Sequence, residues 1–404
     1  MKILQVCLKP PYPPRDGGSM AMFGLACSLS RMGHEITVLT MYTPKHKLSD
    51  EDKLRFSDIM EVQAVYVDTT VHLTALLKNL LFSGKPYNAL RFVSAEFENK
   101  LVDMLSAKIY DIVQLEGLYL APYIPAIRRH SRGLIAFRAH NVEHEIWQRL
   151  ALSEKNLYRK WYFGTLAKRI LHYETEIMNS YDLLVPITER DLEHFNRMGN
   201  TTSAHVCPAG VDIDTVPSGG IIHQAPKYDF SIFFLGSLDW MPNQEGLLWF
   251  ISKVFPELHH RNPGLKFHIA GRNLPDKLLQ KLKKPGLVVH GEVTDAAKFM
   301  KTYGILVAPC FSGSGMRVKV IEAMAKGKPV VTTPLGAEGL PVRHGKNIIL
   351  ANQAEEFLQQ TEKLLKYPDF YQKIGQNAYN FVAKKFNNAT LASGLADFYK
   401  MNLK

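Results

Sequence analysis

Short runs rich in valine, isoleucine and leucine alternate with amphipathic stretches of helical period along this chain, and the alternation occurs twice. In the first half, Ile3–Leu8, Glu35–Tyr42, Val62–Val67, Asp111–Leu115, Leu134–Arg138 and Asp182–Pro186 read as strands, with helical patterns such as Ser19–Arg31 and Ala121–His130 between them. In the second half the strand-like runs are Phe230–Leu235, Lys266–Ala270, Leu287–His290, Ile305–Ala308, Pro329–Thr332 and Asn347–Leu350, and Asn243–Leu258 reads as a helix. Strands that are apolar on both faces and separated by helices belong to parallel sheets covered on both sides. Two such series predict an α/β protein of two doubly wound, Rossmann-like parallel-sheet domains.

The length agrees, since 404 residues suit two domains of roughly 200 residues better than one core. The pattern breaks between Ala204 and Lys227, where Cys207-Pro208-Ala209-Gly210-Val211-Asp212 and Pro217-Ser218-Gly219-Gly220 are turn and linker residues. Domains over 1–205 and 206–386 follow. In open parallel sheets ligands bind beyond the carboxyl ends of the strands. Two domains facing each other then make a cleft with one ligand on each side.

Composition excludes several classes. Apolar residues make up 46% and charged residues 22%, an ordinary globular balance. The cysteines Cys7, Cys27, Cys207 and Cys310 lack paired spacing, which speaks against a disulfide framework or a zinc site and for a reducing, cytoplasmic setting. The N-terminal run reads as a buried strand rather than a signal peptide. No stretch approaches the roughly 18 apolar residues of a membrane span. The formal charge of +11 implies an anionic partner, either a nucleotide or a phospholipid surface. It also fits plain solubility. No basic tract accompanies a nucleic-acid motif, so nucleic acid is not expected.

The densest information lies in Ile305–Thr333, which reads ILVAPC-FSGSG-MRVKVIEAMAKG-KPVVTT. A buried strand ends at Pro309, a Gly/Ser loop follows, a helix spans about Met316 to Lys326, Gly327 stops it, and a second strand begins at Pro329. Loop amides and a helix N-terminus form an anion site. Arg317 and Lys319 fall in the first turn, where cations oppose the helix dipole. They make sense there facing a phosphate, or as solvated surface charges. Glu322 interrupts a small, apolar run and can accept two hydrogen bonds from vicinal hydroxyls such as those of a ribose. Spacing alone equally allows a pair with Lys319 or Lys326.

The run Gly313-Ser314-Gly315-Met316-Arg317-Val318-Lys319-Val320-Ile321-Glu322-Ala323-Met324-Ala325-Lys326-Gly327-Lys328-Pro329-Val330-Val331 resembles the donor-site signature of GT-B glycosyltransferases, in particular the family 4 retaining enzymes. The resemblance implies a GT-B architecture. It also implies that Glu322 binds the ribose of a nucleoside diphosphate sugar and that Gly313, Ser314, Gly315 and Met316 hold the diphosphate. Many members carry a second Glu where this chain has Ser314; the chain is similar to the Gly-Ser-Gly-x-Arg-x-Lys members. Leu235–Asn243 resembles the family's strand-end turn beside the donor phosphates and brings in Gly236. Relatives place an Arg and a Lys near that turn. Arg317, Lys319 and Arg272 are left to supply the charge here.

Other segments extend the resemblance. Pro13-Pro14-Arg15-Asp16-Gly17-Gly18-Ser19 corresponds to the loop beside the donor sugar and acceptor, with Gly17 and Gly18 permitting close approach; it also reads as a tight turn before a capping Ser19. The family places His140 beside the transferred sugar, and a structural histidine at a strand end is the other reading. His140 to His144 spells H-x-x-E-H, but the first histidine falls at a strand end, outside any helix. Asp212-Ile213-Asp214 mimics a metal motif and reads as a loop cap. No metal is assigned, and no cofactor beyond the donor substrate. The resemblance further implies that residues 387–404 return to the first domain.

The expected activity is retaining, metal-independent transfer of a hexose-like unit from a UDP- or GDP-linked sugar to a hydroxyl of a glycan or lipid-linked glycan. His140, Arg317 and Lys319 are the catalytic candidates. A nucleotide-sugar epimerase and a degenerate nucleotide-binding homologue are the alternatives on this fold. Two basic, aromatic stretches, Leu76–Phe92 and Lys155–His172, suit either peripheral contact with an anionic membrane at its inner face or packing on the core.

Overall fold

The computed structural model describes residues 1–213, 231–313 and 315–403. The chain forms two compact units, Met1–Gly210 with Asn388–Lys404, and Val211–Asn387. In the first unit β1 (Lys2–Cys7), β2 (Glu35–Tyr42), β3 (Glu61–Tyr66), β4 (Ile112–Glu116), β5 (Leu134–Ala139), β6 (Leu183–Pro186) and β7 (Ser203–Ala204) form one sheet, ordered β3-β2-β1-β4-β5-β6-β7. Every pairing is parallel. In the second unit β8 (Ser231–Leu235), β9 (Lys266–Ala270), β10 (Leu287–Gly291), β11 (Ile305–Ala308), β12 (Val330–Thr332) and β13 (Ile349–Leu350) form a parallel sheet ordered β10-β9-β8-β11-β12-β13. Both are doubly wound α/β sheets. The winding reverses between β1 and β4 in one and between β8 and β11 in the other, so each has its crevice at the carboxyl ends of those strands.

Differences from the sequence reading have local causes. The helical pattern at Ala121–His130 divides into a tight 3-10 turn, Leu118–Tyr123, and a helix, Ile124–His130. The stretch Asn243–Leu258 becomes two helices, Met241–Lys253 and Phe255–Arg261, because Pro256 carries no N–H to continue the first. The last strand shortens because Asn347 is drawn into a turn, its side chain accepting from Arg343 N at 2.8 Å. The helix Gly17–Arg31 has Asp16 rather than Ser19 as its N-cap. The strand start at Phe230, the linker Pro217–Gly220, Asp214 and Ser314 lie outside the described residues.

The two faces of the first sheet differ. Leu4, Val6, Val113, Leu115, Ile135 and Phe137 fill one with aliphatic and aromatic packing. On the other, Ile3, Cys7, Ile112 and Ala136 meet the helices Gly17–Arg31 and Asn388–Asn402. The C-terminal helix therefore belongs to the first unit. Its Asn388 fits where Gly24 has no side chain; a Cβ there would lie 2.5 Å from Asn388 Nδ2. Tyr399 donates to Gln114 Oε1 at 2.7 Å. Among the described residues no helix is long and apolar enough to cross a membrane.

Candidate functional site

The carboxyl ends of β8, β9 and β11 in the second unit are assembled backbone to backbone. A Cβ on Gly271 would lie 1.7 Å from the Gly236 carbonyl oxygen, so any side chain there would separate the turns after β8 and β9. Leu238 N donates to the Arg272 carbonyl at 2.8 Å and seats Arg272 beside the same turn. After β11 the loop runs through Gly313 and Gly315 at φ of +87° and +83°, values that glycine adopts without strain. The helix that follows is Val318–Ala325, with Arg317 as its N-cap and Met316 just before it. Arg317 thus precedes the first turn rather than lying within it, and Lys319 is the cation inside the helix. Gly327, at φ +66°, ends the segment as expected.

The two cations do different work. Arg317 folds onto its own loop, with Nη1 donating to Gly315 O at 2.7 Å, Nη2 to Ser312 O at 3.3 Å, and Nε and Nη2 contacting Cys310 Sγ at 3.3 and 3.2 Å. Gly313 leaves room for this, since a Cβ there would stand 3.2 Å from Arg317 Nη2. Lys319 crosses to the other strand end. Its Nζ donates to Asn243 Oδ1 at 3.0 Å and stands 4.3 Å from the centre of the Phe234 ring. A Cβ on Gly236 would meet that Nζ at 3.3 Å. Asn243 also donates to the Ser237 carbonyl at 2.8 Å, which ties the turn to the lysine.

Burial draws both helix charges toward neutrality. It pulls Lys319 down to about 8, with Arg317 adding to the effect and Cys310 opposing it. It pushes the Glu322 carboxyl up to about 7, partly offset by Lys326. Glu322 has no hydrogen-bond partner among the described residues, and Lys319 reaches Asn243 instead of it. A half-buried carboxylate without donors is costly unless something else supplies them. One short helix thus presents an ammonium and, a turn later, an acceptor without a donor.

His140, Gly17 and Gly18 belong to the first unit. There the parallel register sets Gln5 opposite Gln114, Cys7 opposite Glu116, and Glu116 opposite Arg138. Glu116 accepts from Gln5 Nε2 at 2.6 Å and from Gln114 Nε2 at 2.5 Å, and its other oxygen lies 2.6 Å from His140 Nε2 and 3.5 Å from Arg138 Nη1. Burial alone would raise the Glu116 carboxyl; Arg138 and the contacts from His140 and Gln5 outweigh it and hold it at about 2. His140 is thereby oriented by a buried, ionised partner.

The loop after β1 is pinned similarly. Burial disfavours the Asp16 carboxylate, yet Lys9 at 2.6 Å and the Ser19 N–H and hydroxyl hold it well below the usual range. Gly18 makes space for Lys9, whose Nζ would be 3.2 Å from a Cβ at that position.

His144 diverges from His140. It faces Glu174, which also accepts from the Glu143 and His144 amides at 2.9 and 3.2 Å and so caps the helix Glu143–Ser153. The two histidines of the H-x-x-E-H string therefore serve separate carboxylates.

Glu116 and Asn243 are the residues that sequence reasoning missed. Asn243 closes the quoted turn motif, but nothing in its spacing points to Lys319, 76 positions away. Glu116 had a readable signal: Gln5, Gln114, Glu116 and Arg138 interrupt strands whose neighbours are all apolar.

Residues 229–367 match the family "Glycosyl transferases group 1". An uncharacterized 44.6 kDa protein in the cps region of Klebsiella pneumoniae is 22% identical over 98% of each chain. Phosphatidyl-myo-inositol mannosyltransferase of Mycobacterium tuberculosis is 28% identical over 34% of this chain and 37% of its own length. Among solved structures, Anabaena HepE in complex with UDP and glucose superposes with a TM-score of 0.68 at 15% identity, over 99% of this chain and 100% of that one. A variant of S. aureus TarM in complex with fondaparinux, alpha-GlcNAc-glycerol and UDP gives 0.68 at 12% identity over 99% and 100%. The shared fold is GT-B.

Proposed function

We propose, for a chain that carries a glycosyl transferases group 1 domain on a GT-B fold, that the protein transfers a sugar from a nucleoside diphosphate donor to an acceptor hydroxyl with retention of configuration. The observation that carries this reading is the pair Lys319 and Glu322 on one helix, both half-buried and both drawn toward neutrality, beside turns built from glycine. A diphosphate supplies the charge that Lys319 lacks, and a ribose supplies the hydroxyl donors that Glu322 lacks.

In this reading the loop amides of residues 313–316 and Lys319 hold the diphosphate. Arg317 keeps the loop in shape through the Gly315 and Ser312 carbonyls. Gly236 lets the phosphates approach the strand end, and Arg272 adds positive charge from the neighbouring turn. The bond from the anomeric carbon to the diphosphate oxygen breaks as the acceptor oxygen attacks from the same face. The acceptor proton passes to an oxygen of the leaving diphosphate, so no protein base is required. His140, oriented by Glu116, donates to a sugar hydroxyl. Gly17 and Gly18 line the sugar side. The protein's own cations carry the leaving-group charge, so no metal is assigned.

The donor is UDP- or GDP-linked, as HepE and TarM were solved with UDP. The acceptor is a glycan or lipid-linked glycan, in keeping with a mannosyltransferase of phosphatidyl-myo-inositol among the relatives and a cps-region protein matching end to end. The site of action is cytoplasmic. A panel of nucleoside diphosphates and their sugars, read by thermal shift and followed by donor turnover with and without acceptors, tests the reading. Binding of UDP or GDP with acceptor-dependent turnover supports it. No shift with any nucleotide removes it, and acceptor-independent release of nucleotide would point to an epimerase.

A further inference from the structure

The helix Leu73–Phe82 (LTALLKNLLF) is apolar nearly all the way round, yet none of its residues is buried. A short helix of that composition ordinarily sits inside a protein or against lipid. Its inner face is accounted for: Leu76, Asn79 and Leu80 face Tyr162, Leu166 and Arg169 of the helix Leu157–Ile177. Arg169 fixes its end by donating to the Leu80 and Asn79 carbonyls at 2.7 and 3.2 Å. The outer face is not covered. Leu73, Leu77 and Leu81, one helical turn apart, are 75%, 54% and 72% exposed, and Phe82 is 85% exposed. The neighbouring helix adds Leu157, Tyr158 and Trp161, at 78%, 87% and 61%. Isolated exposed leucines need no explanation, but seven large apolar side chains exposed on two helices that meet mark an interaction surface.

Charge selects the occupant. Residues 69–95 contain Lys78, Lys85 and Arg91 and no carboxylate, and residues 155–173 contain Lys155, Arg159, Lys160, Lys168 and Arg169 and again no carboxylate. Lys78, Lys85, Lys155, Arg159, Lys160 and Lys168 are all exposed. Aliphatic ridges, an interfacial tryptophan and tyrosine, and an excess of exposed cations match an anionic bilayer surface. A second copy of this patch would meet it with like charge. We infer that the first unit docks on anionic membrane through the helix Leu73–Phe82 and the first turns of Leu157–Ile177, with Leu77, Leu81, Phe82 and Trp161 entering the headgroup boundary and the lysines and arginines meeting lipid phosphates. The inference stands on the first unit alone and does not depend on the donor reading.

Flotation of the full chain with vesicles of phosphatidylglycerol and phosphatidylcholine in equal parts, against phosphatidylcholine alone, tests it. The expected result is binding to the mixed vesicles only, weakened by salt. Arg159→Glu with Lys160→Glu should lower partition by about fivefold or more per cation removed, and Leu77→Glu with Leu81→Glu should abolish it. All four positions are exposed, and the melting temperature of each variant checks that it is folded. Equal binding to neutral vesicles, or binding unchanged in both folded variants, would overturn the inference. So would a wild-type dimer that ignores vesicles and becomes monomeric in the Leu77→Glu/Leu81→Glu variant, which would assign the face to a second copy.

Discussion

The two crevices at the strand ends are built from similar topology and handle charge in opposite ways. In the first unit Glu116 and Arg138 are buried and face each other, and His140, Gln5 and Gln114 complete the shell around the carboxylate. The opposite charges offset one another before any ligand arrives, although Arg138 Nε and Nη2 are buried without a hydrogen-bond partner among the described residues. In the second unit the strand ends are closed by backbone contact at Gly271, while Lys319 and Glu322 stand half-buried on one helix without pairing with each other. A buried charge that has its partner fixes geometry. A buried charge that lacks one pulls its pKa toward neutrality and favours whatever ligand supplies the missing half. In the function proposed above, the first crevice positions and the second binds.

Removing Glu116 should break the first half of that contrast most visibly. Glu116→Gln leaves the Arg138 guanidinium buried without its counter-charge, and a loss of about 3–5 kcal/mol of stability is expected; equilibrium unfolding in urea reads it. By contrast, Lys319→Met should cost no more than about 1 kcal/mol, the worth of the bond to Asn243. A large loss at Lys319 and a small one at Glu116 would reverse the comparison.

Donor binding should respond the other way. Lys319→Met is expected to lower nucleoside diphosphate affinity by one to two orders of magnitude, about 1.4–2.8 kcal/mol, measured by calorimetry, whereas Glu116→Gln should leave that affinity unchanged if the variant is folded.

Two pH dependences sharpen the assignment. Glu322, raised to about 7, is ionised and accepts hydrogen bonds fully only above that pH, while Lys319, lowered to about 8, loses its charge above that pH. Affinity for a nucleoside diphosphate should therefore peak between about 7 and 8. It should fall on the acid side through Glu322 and on the alkaline side through Lys319. Glu322→Gln should flatten the acid limb alone.

The last prediction concerns stability in acid. The Glu116 pKa is held at about 2, below its ordinary 4.5, so its contribution is present above pH 4.5 and is lost as pH falls from there toward 2. Thermal unfolding between those limits should show this loss in the wild type and not in Glu116→Gln.

Much of this was legible in the order of residues. Strand–helix alternation exposed both sheets because buried parallel strands need near-continuous apolar runs; Glu35–Tyr42, Lys266–Ala270 and Ile305–Ala308 have the same limits in sequence pattern and structure. Ser203–Ala204 escaped notice because an edge strand of two residues has no period to detect. The Gly313–Val331 run exposed the glycine loop, the helix after it and Glu322 because they are contiguous in sequence. What it left open was how the two cations divide their work. Arg317 turns back to the loop carbonyls and Lys319 crosses to Asn243, a choice made by packing between strand ends far apart in sequence. The Glu116–His140 contact stayed hidden for the same reason: its two halves end neighbouring strands. Polar residues inside apolar strands mark such a cluster but do not pair its members.

The central claim is that Lys319 serves the diphosphate and Glu322 the ribose. Calorimetric titration of inorganic pyrophosphate and of UDP and GDP into the wild type, Lys319→Met and Glu322→Ala tests it most directly. The account predicts that Lys319→Met weakens both pyrophosphate and the nucleoside diphosphate, and that Glu322→Ala weakens only the nucleoside diphosphate, by about tenfold. Equal loss of pyrophosphate and nucleotide in Glu322→Ala, or nucleotide affinity unchanged in both variants, would contradict it.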